Sequence, residues 1–282
     1  FLTQTYPRFD GDTAGPFIRD LASGLVRGGD RVKVLTPHAE GVATAWNDDG
    51  VEVESFRYAP ERLEVLGYSR SLSADETIRG VAGAVAPLYA LAARAALSAE
   101  CNRQEYDLVH AHWVVPNGIV AGLARCRAPL AVGLHGSDVF MAEKPLFRPW
   151  VKRALRKAGL VTGCSPELVD RVCEIGFDRS RAEVIPYGVD VELFSPDPDR
   201  RDIWRRKLDL PPGAIVALGV GRMVTKKGFH VLIPLLGGLF EEFPDLHLVL
   251  AGGGDRLEEF RASSAGWSDR VHFPDVVLRD TL

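Results

Sequence analysis

Three cations fall within six residues where an apolar stretch ends. In GVGRMVTKKGFHVLI (219–233) the run AIVALGV (214–220) breaks at glycine into Arg222, Lys226 and Lys227, and an apolar, helix-like pattern then resumes. Arginine offers phosphate oxygens a planar fork of donors, and lysine offers a compact point charge. A helix starting near Gly228 would add unpaired backbone N–H groups and the positive end of a dipole. Together these suit a diphosphate. If the diphosphate leaves during a reaction, the same groups stabilise charge as it develops. The bland alternative is a solvated Lys-Lys-Gly turn.

Other polar clusters also follow apolar runs. LAVGLHGSDV (130–139) places His135 and Asp138 just past a strand. There the imidazole can hydrogen-bond a hydroxyl or pyrophosphate and the carboxylate can orient it. Ser137 or Asp138 could equally cap the next helix. DLVHAHW (107–113) puts His110 and His112 on one strand face. That spacing permits shared metal ligation, but no third ligand is evident, and a polar strand end with Trp113 as an aromatic platform is preferred. FDGDTAGPF (9–17) holds Asp10 and Asp12, a pattern that could suggest a metal–nucleotide site. Thr13, Gly15 and Pro16 read instead as a helix start in which Gly15 lets the backbone approach a ligand. GVGRMV and AGGGD supply Gly221 and Gly253 as further ligand-approach positions. Neither matches G-x-G-x-x-G, since Val224 occupies the third glycine position, so a dinucleotide cofactor is a weak reading.

KPLFRPWVKRALRKAG (144–159) is a basic amphipathic stretch. Phe147, Trp150, Val151, Ala154, Leu155 and Ala158 share a helical face, with Arg148, Lys152, Arg153, Arg156 and Lys157 largely opposite. Such a helix can lie on anionic lipid, or pack its apolar face on a sheet with its cations in water. Both readings stay open.

These clusters need a scaffold. The 282 residues have room for about two domains at roughly 150 residues each. Short apolar runs at 1–6, 31–36, 51–58, 107–113, 130–136, 160–165 and 182–188 alternate with helical patterns, one of them Ala-rich over about 75–99 with a possible kink at Pro87. This alternation predicts an α/β fold with parallel sheet covered on both faces. VDVELFSPDPDRRD (189–202) reads as a linker. Strands at 214–220, 246–251 and 270–273, with helices over 228–241 and 255–264, form a second series. The expected division is therefore 1–188, the linker 189–202, and a partial domain 203–282 whose last strand has an open edge. Ligands sit beyond the carboxyl ends of such strands, and two edges of this kind imply a cleft between domains.

Composition excludes several classes. Hydrophobic residues at 46% and charged residues at 26% are ordinary for a globular protein. A net charge of -4 gives no whole-molecule attraction to nucleic acid, so an anion site must be local. No run of about 18 apolar residues is present, which argues against a membrane span. The chain opens at Phe1 with no signal peptide, already inside a strand-like stretch, so a preceding segment is expected to be missing. Cys101, Cys126, Cys164 and Cys173 form no CxxC pair, and reduced thiols in a cytoplasmic protein are expected.

DLVHAHW, LHGSDV, VIPYGVDVELFSP, GVGRMVTKKGFHVLI, PDLHLVLAGGGD and RVHF occur in the order that resembles glycosyltransferase family 4 over nearly the whole chain. The resemblance implies the GT-B fold of two Rossmann-like domains. It implies a retaining, metal-independent transferase that moves a sugar from a nucleotide diphosphate to an acceptor hydroxyl. It needs no cofactor beyond that donor. Arg222 and Lys227 fall on the family's donor-phosphate residues, His135 on its histidine near the donor sugar, Gly15 in its N-terminal loop, and the hinge near 188–190. The loop GDTAGPF lacks the double glycine of many members. The family's C-terminal glutamate pair is also absent, so the chain is expected to be truncated and, alone, inactive or weak. Expected partners are a nucleotide sugar, a saccharide or lipid-linked acceptor, and an anionic membrane through 144–159. The expected location is the cytoplasm, peripherally at the inner membrane face. A sugar-nucleotide epimerase and a non-catalytic binding remnant are the rival readings.

Overall fold

In the computed structural model, which describes residues 1–68, 79–278 and 281, run length and polarity decide the layers. The described residues divide into two compact units, Phe1–Tyr68 with Gly80–Gly188, and the chain from Val189 onward.

In the first unit, β1 (Lys33–Pro37), β2 (Ala45–Asp48) and β3 (Val51–Phe56) are ordered β1-β3-β2. β4 (Val109–His112), β5 (Leu130–Leu134), β6 (Ala158–Gly163) and β7 (Ala182–Val184) follow in chain order. Residues 1–3 join the two sets, for Leu2 bridges in parallel to both Leu35 and Ala111. The strand expected over 1–6 is confined to these first residues because the chain bends at Gln4. All pairings are parallel except β2 with β3, a polar hairpin whose turn residues Asp49 (φ 49°) and Gly50 (φ 90°) both have positive φ.

Alternation along β1 separates two cores. Val34 packs with Ile18 and Ala22 of α1 (Pro16–Arg27) on one face. Leu35 belongs to the larger cluster on the other face, beneath α2 (Arg79–Arg103), α3 (Ile119–Leu123), α4 (Ser137–Ala142), α5 (Arg148–Leu155) and α6 (Pro166–Ile175). Every crossover from β3 to β7 advances in one direction, which places α2 to α6 in a single layer. The first part of the expected 75–99 helix lies outside the described residues; from Arg79 the helix continues through Pro87. α2 is also long and apolar enough to cross a membrane by length and composition, which corrects the reading that no such stretch exists. It lies on the sheet through Val85, Tyr89, Ala93 and Leu97.

The expectation of four reduced thiols is corrected: Cys101, near the end of α2, is bonded to Cys126. Folding brings the end of α2 beside the loop after α3, a proximity that sequence spacing does not reveal. Cys164 and Cys173 are free.

The second unit pairs β8 (Ile215–Val220), β9 (Leu246–Ala251) and β10 (Val271–His272) in parallel, in the order β10-β9-β8. Leu248, Leu250, Phe240 and Phe260 form its core. Two expectations fail here. The last five residues of the 189–202 linker are the start of α7 (Pro198–Lys207), capped by the Asp197 side chain on the Asp199 and Arg200 N–H groups. The apolar run of β8 is also exposed, with Ile215, Leu218 and Val220 all more than half accessible, whereas Val271 of β10, the other edge strand, is buried. Its neighbour β9 is buried along almost its whole length.

Candidate active site

The carboxyl ends of the first unit's parallel strands gather an aromatic and imidazole cluster. β4 ends at His112 and β5 at Leu134, so His135 follows directly, and Tyr187 lies three residues past β7. His112 Nδ1 and His135 Nε2 are 3.1 Å apart, and His135 Nδ1 is hydrogen-bonded to the Tyr187 hydroxyl. The Trp113 ring lies 4.5 Å and the Phe17 ring 5.3 Å from the His135 ring. Trp113 takes φ 70°, an outlier for a bulky residue, and its N–H is held by the Gly133 carbonyl at 2.8 Å. A Cβ on Gly133 would lie 3.0 to 3.3 Å from a ring nitrogen of each of His110, His135 and His112, so glycine makes room for three imidazoles.

Burial sets the charge state of this cluster. It drives His135 down to about 3 and His110 to about 4, and pushes His112 well below the usual range. All three are therefore neutral near pH 7. The Nε2 atoms of His110 and His112 are buried and accept no hydrogen bond among the described residues. A buried unpaired acceptor is tolerated better than a buried unpaired N–H. That preference assigns the His112 proton to Nδ1, donating to His135 Nε2, and the His135 proton to Nδ1, donating to the Tyr187 oxygen. Both ring nitrogens of His135 are thus engaged inside the protein. A ligand hydroxyl reaches its ring only by displacing Tyr187, which is half exposed.

Asp138 binds backbone N–H groups. Its carboxylate accepts the His135 backbone N–H at 3.1 Å and the Val114 N–H at 2.8 Å, so it fixes the two strand-end loops and leaves the imidazole untouched. Burial raises its pKa to about 6 against the opposing pull of those N–H groups. Gly15 caps α1 at φ 73°, and a Cβ there would meet Thr5 Oγ1 at 2.6 Å. Its close approach is therefore to the protein's own backbone segment. Asp12 pairs with Arg8 at 2.6 Å and accepts the Ala14 N–H, while Asp10 pairs with Arg19 at 3.1 Å. Both aspartates thus serve the loop. Among the described residues no group of three His, Cys, Asp or Glu side chains is placed to hold a metal ion.

In the second unit, the carboxyl ends of β8 and β9 are knitted together. Gly221 N–H donates to the Ala251 carbonyl (2.9 Å), Met223 N–H to the Gly253 carbonyl (2.8 Å), and Arg256 N–H to the Met223 carbonyl (2.9 Å). A Cβ on Gly252 (φ 142°) would fall 2.0 Å from the Gly221 oxygen, and one on Gly254 (φ 151°) 2.7 Å from the Met223 oxygen. Gly252 and Gly254 therefore admit the Arg222 loop, while Gly221 and Gly253 join it through backbone hydrogen bonds. Lys227 lays its side-chain carbons along Gly221, about 3.8 Å from where a Cβ would be. Arg222 and Lys227 thus belong to one short loop. The helix expected over 228–241 is broken: a 3₁₀ turn at Thr225–Lys227, α8 (Phe229–Leu232), a 3₁₀ turn at Ile233–Leu235 and α9 (Leu236–Glu242). Pro234 cannot supply a helical N–H, so the dipole behind the loop is shorter than expected. Two residues were missed by the sequence reading. Arg256, in the loop before α10 (Leu257–Ser263), reaches Thr225 Oγ1 at 3.2 Å, and His230 buries an unpaired Nδ1 just past the cations.

Comparison with known proteins gives this arrangement its context. Residues 13–188 match the family model described as a glycosyl transferase 4-like domain, and residues 200–280 match glycosyl transferases group 1. The chain is 32% identical over 155 residues to a GDP-mannose-dependent alpha-(1-6)-phosphatidylinositol monomannoside mannosyltransferase of Mycolicibacterium smegmatis, a match spanning 54% of this chain and 40% of that protein. It is 28% identical over 254 residues to a D-inositol 3-phosphate glycosyltransferase of Corynebacterium glutamicum, spanning 80% of this chain and 58% of that one. The matches thus span less than two thirds of these relatives. Sucrose-phosphate synthase from Thermosynechococcus elongatus shares the fold with a TM-score of 0.74 at 18% identity, over 99% of this chain and 70% of that one. Anabaena Alr3699/HepE, solved with UDP and glucose, does so with a TM-score of 0.66 at 21% identity, over 100% of this chain and 70% of that one. The chain belongs to the family 4-like glycosyltransferases and has their GT-B-type α/β architecture.

Proposed function

We propose that the protein carrying this chain transfers a sugar from a nucleoside diphosphate to an acceptor hydroxyl with retention of anomeric configuration. The observation that carries the reading is the Arg222–Lys227 loop, held against the triple glycine at the ends of β8 and β9. Two fixed cations there would receive the diphosphate and stabilise the charge it gains as the sugar–oxygen bond breaks. In this reading they supply the positive charge that a divalent ion supplies elsewhere, so the reaction proceeds without one. Neutral His135 presents a hydrogen-bonding ring rather than a charge. Its part is to orient a sugar hydroxyl once Tyr187 gives way, with Trp113 and Phe17 as the apolar wall.

The relatives that use GDP-mannose, and the neighbour solved with UDP, support a nucleotide sugar as donor. The mannosyltransferase's phosphatidylinositol-linked substrate supports a saccharide or lipid-linked acceptor. We further assign the basic stretch 144–159 to peripheral contact with an anionic membrane on the cytoplasmic side. The test is transfer from nucleotide sugars with chelator present. The expected result is chelator-insensitive turnover giving a product of unchanged anomeric configuration, reduced about 10²-fold by Arg222→Ala or Lys227→Ala. Inversion, or turnover unaffected by both substitutions, would overturn the reading.

A further inference from the structure

α2 carries a feature that the transferase chemistry leaves unused. From Gly80 through Ala93 it contains no charged residue. Its buried positions, Val85, Tyr89, Ala93 and Leu97, face the sheet. Its outward side presents Val81, Ala84, Leu88, Leu91 and Ala95 at alternating spacings of three and four, a continuous helical stripe. Leu88 is 48% and Leu91 62% exposed.

The neighbouring helix supplies charge. α2 is tied to α3 by Arg94 Nε donating to the Leu123 carbonyl at 2.9 Å and by Arg125 N–H on Ser98 Oγ at 3.0 Å. α3 in turn touches α5 so closely that a Cβ on Gly122 would lie 2.6 Å from Ala154 Cα. The three helices therefore lie side by side in one layer. On and around α5, Lys144, Arg148, Lys152, Arg153, Arg156 and Lys157 are exposed, and none is ion-paired among the described residues. The apolar face expected for this stretch is only partly buried. Val151, Ala154 and Leu155 pack inward, whereas Trp150 is 52% exposed and Leu146 72%, among the cations.

We propose that the outer surface of this helix layer docks on an anionic bilayer, with the Leu88–Leu91 stripe of α2 inserting at the acyl boundary and the cations of α5 holding lipid phosphates. The inference extends the membrane contact of 144–159 proposed above and rests on it. Charge complementarity selects the occupant. Six unpaired cations fit a negatively charged lipid surface. A twofold self-association through α2 would bring two identical cationic helices toward each other. Combining an apolar stripe with a polybasic patch also supplies the two signals that stable peripheral anchoring needs.

The test is flotation of the full chain with vesicles of phosphatidylcholine, with and without phosphatidylglycerol. Wild type is expected to float with the anionic vesicles only, and less so at high salt. Leu88→Gln with Leu91→Gln should weaken partitioning on the order of thirtyfold. Replacing Arg148, Lys152, Arg153 and Arg156 by glutamine should weaken it about 10³-fold. All six positions are exposed, and circular dichroism verifies that each variant folds. If only the cation variant loses binding, the α2 insertion is wrong while contact through 144–159 stands. If wild type does not bind at all, both fall. Concentration-dependent dimers abolished by the leucine substitutions would assign the stripe to self-association and overturn the proposal.

Discussion

Acid should unfold the first unit through its imidazole cluster. Burial places the folded pKa of His135 near 3 and of His110 near 4, with His112 also far below 6.5. A depressed histidine binds its proton less well in the folded state. Its contribution is therefore complete above pH 6.5 and lost as pH falls toward the folded value. At pH 5 His135 and His110 are protonated in the unfolded chain and neutral in the folded one, which removes 1.5 pH units' worth, roughly 2 kcal/mol each and about 4 kcal/mol together, and buried His112 shifts stability in the same direction. Asp138 acts the other way. Its folded pKa of about 6 lies above the ordinary 3.8. It takes up a proton in the folded state between pH 7 and 5 and returns about 1 kcal/mol. The net expected loss is about 3 kcal/mol or more, a large share of the stability of many domains. Urea denaturation at pH 7 and pH 5, followed by tryptophan fluorescence, reads it. With a slope of about 2 kcal/mol/M the midpoint should fall by roughly 1.5 M or more. His112→Phe, whatever its absolute stability, should shrink the difference between the two pH values. Equal midpoints at pH 5 and pH 7 would refute the buried, neutral cluster.

Other outcomes follow from single contacts. Tyr187→Phe removes the hydroxyl that a ligand must displace from His135 Nδ1, so the donor KM should fall by up to about tenfold with kcat unchanged; a raised KM would make Tyr187 a binding residue. Gly15→Ala forces a Cβ to 2.6 Å from Thr5 Oγ1 at positive φ, and thermal denaturation should show a loss of about 2 kcal/mol or more. Under non-reducing conditions, alkylation followed by mass spectrometry should modify Cys164 and Cys173 in the unfolded chain and spare Cys101 and Cys126. Labelling of all four would contradict the bond.

Much of the scaffold was legible because parallel strands buried on both faces must be short apolar runs. β3, β4, β5 and β9 each sit inside such a run, and β1 overlaps one. β2 was not read: Ala45–Asp48 is polar and paired on one side only. The Asp49-Gly50 dipeptide was the signal that would have found it. The break of the 228–241 helix was also written in the sequence, at Pro234. In the site, the residue types at strand ends were legible, but their convergence was not. Nothing in the spacing of His112, His135 and Tyr187 indicates that their rings form one hydrogen-bonded chain. That depends on β4 lying beside β5, and on the segment after β7 returning over them. The packing of the glycines was not legible for a related reason. A glycine that admits a ligand and one that admits a neighbouring backbone look alike in sequence, and only the structure shows Gly15 against Thr5, Gly252 against Gly221 and Gly254 against Met223. Arg256 escaped because its reach to Thr225 crosses from the segment after β9 to the loop after β8.

The central claim is that the Arg222–Lys227 loop receives a nucleoside diphosphate. Calorimetric titration of wild type, Arg222→Ala and Lys227→Ala with UDP and GDP tests it most directly. At least one of the two nucleotides should bind wild type, and each substitution should weaken that binding by about tenfold to a hundredfold, as loss of one charge-assisted contact does. Equal affinity in all three proteins, or no binding of either nucleotide to wild type, would contradict it.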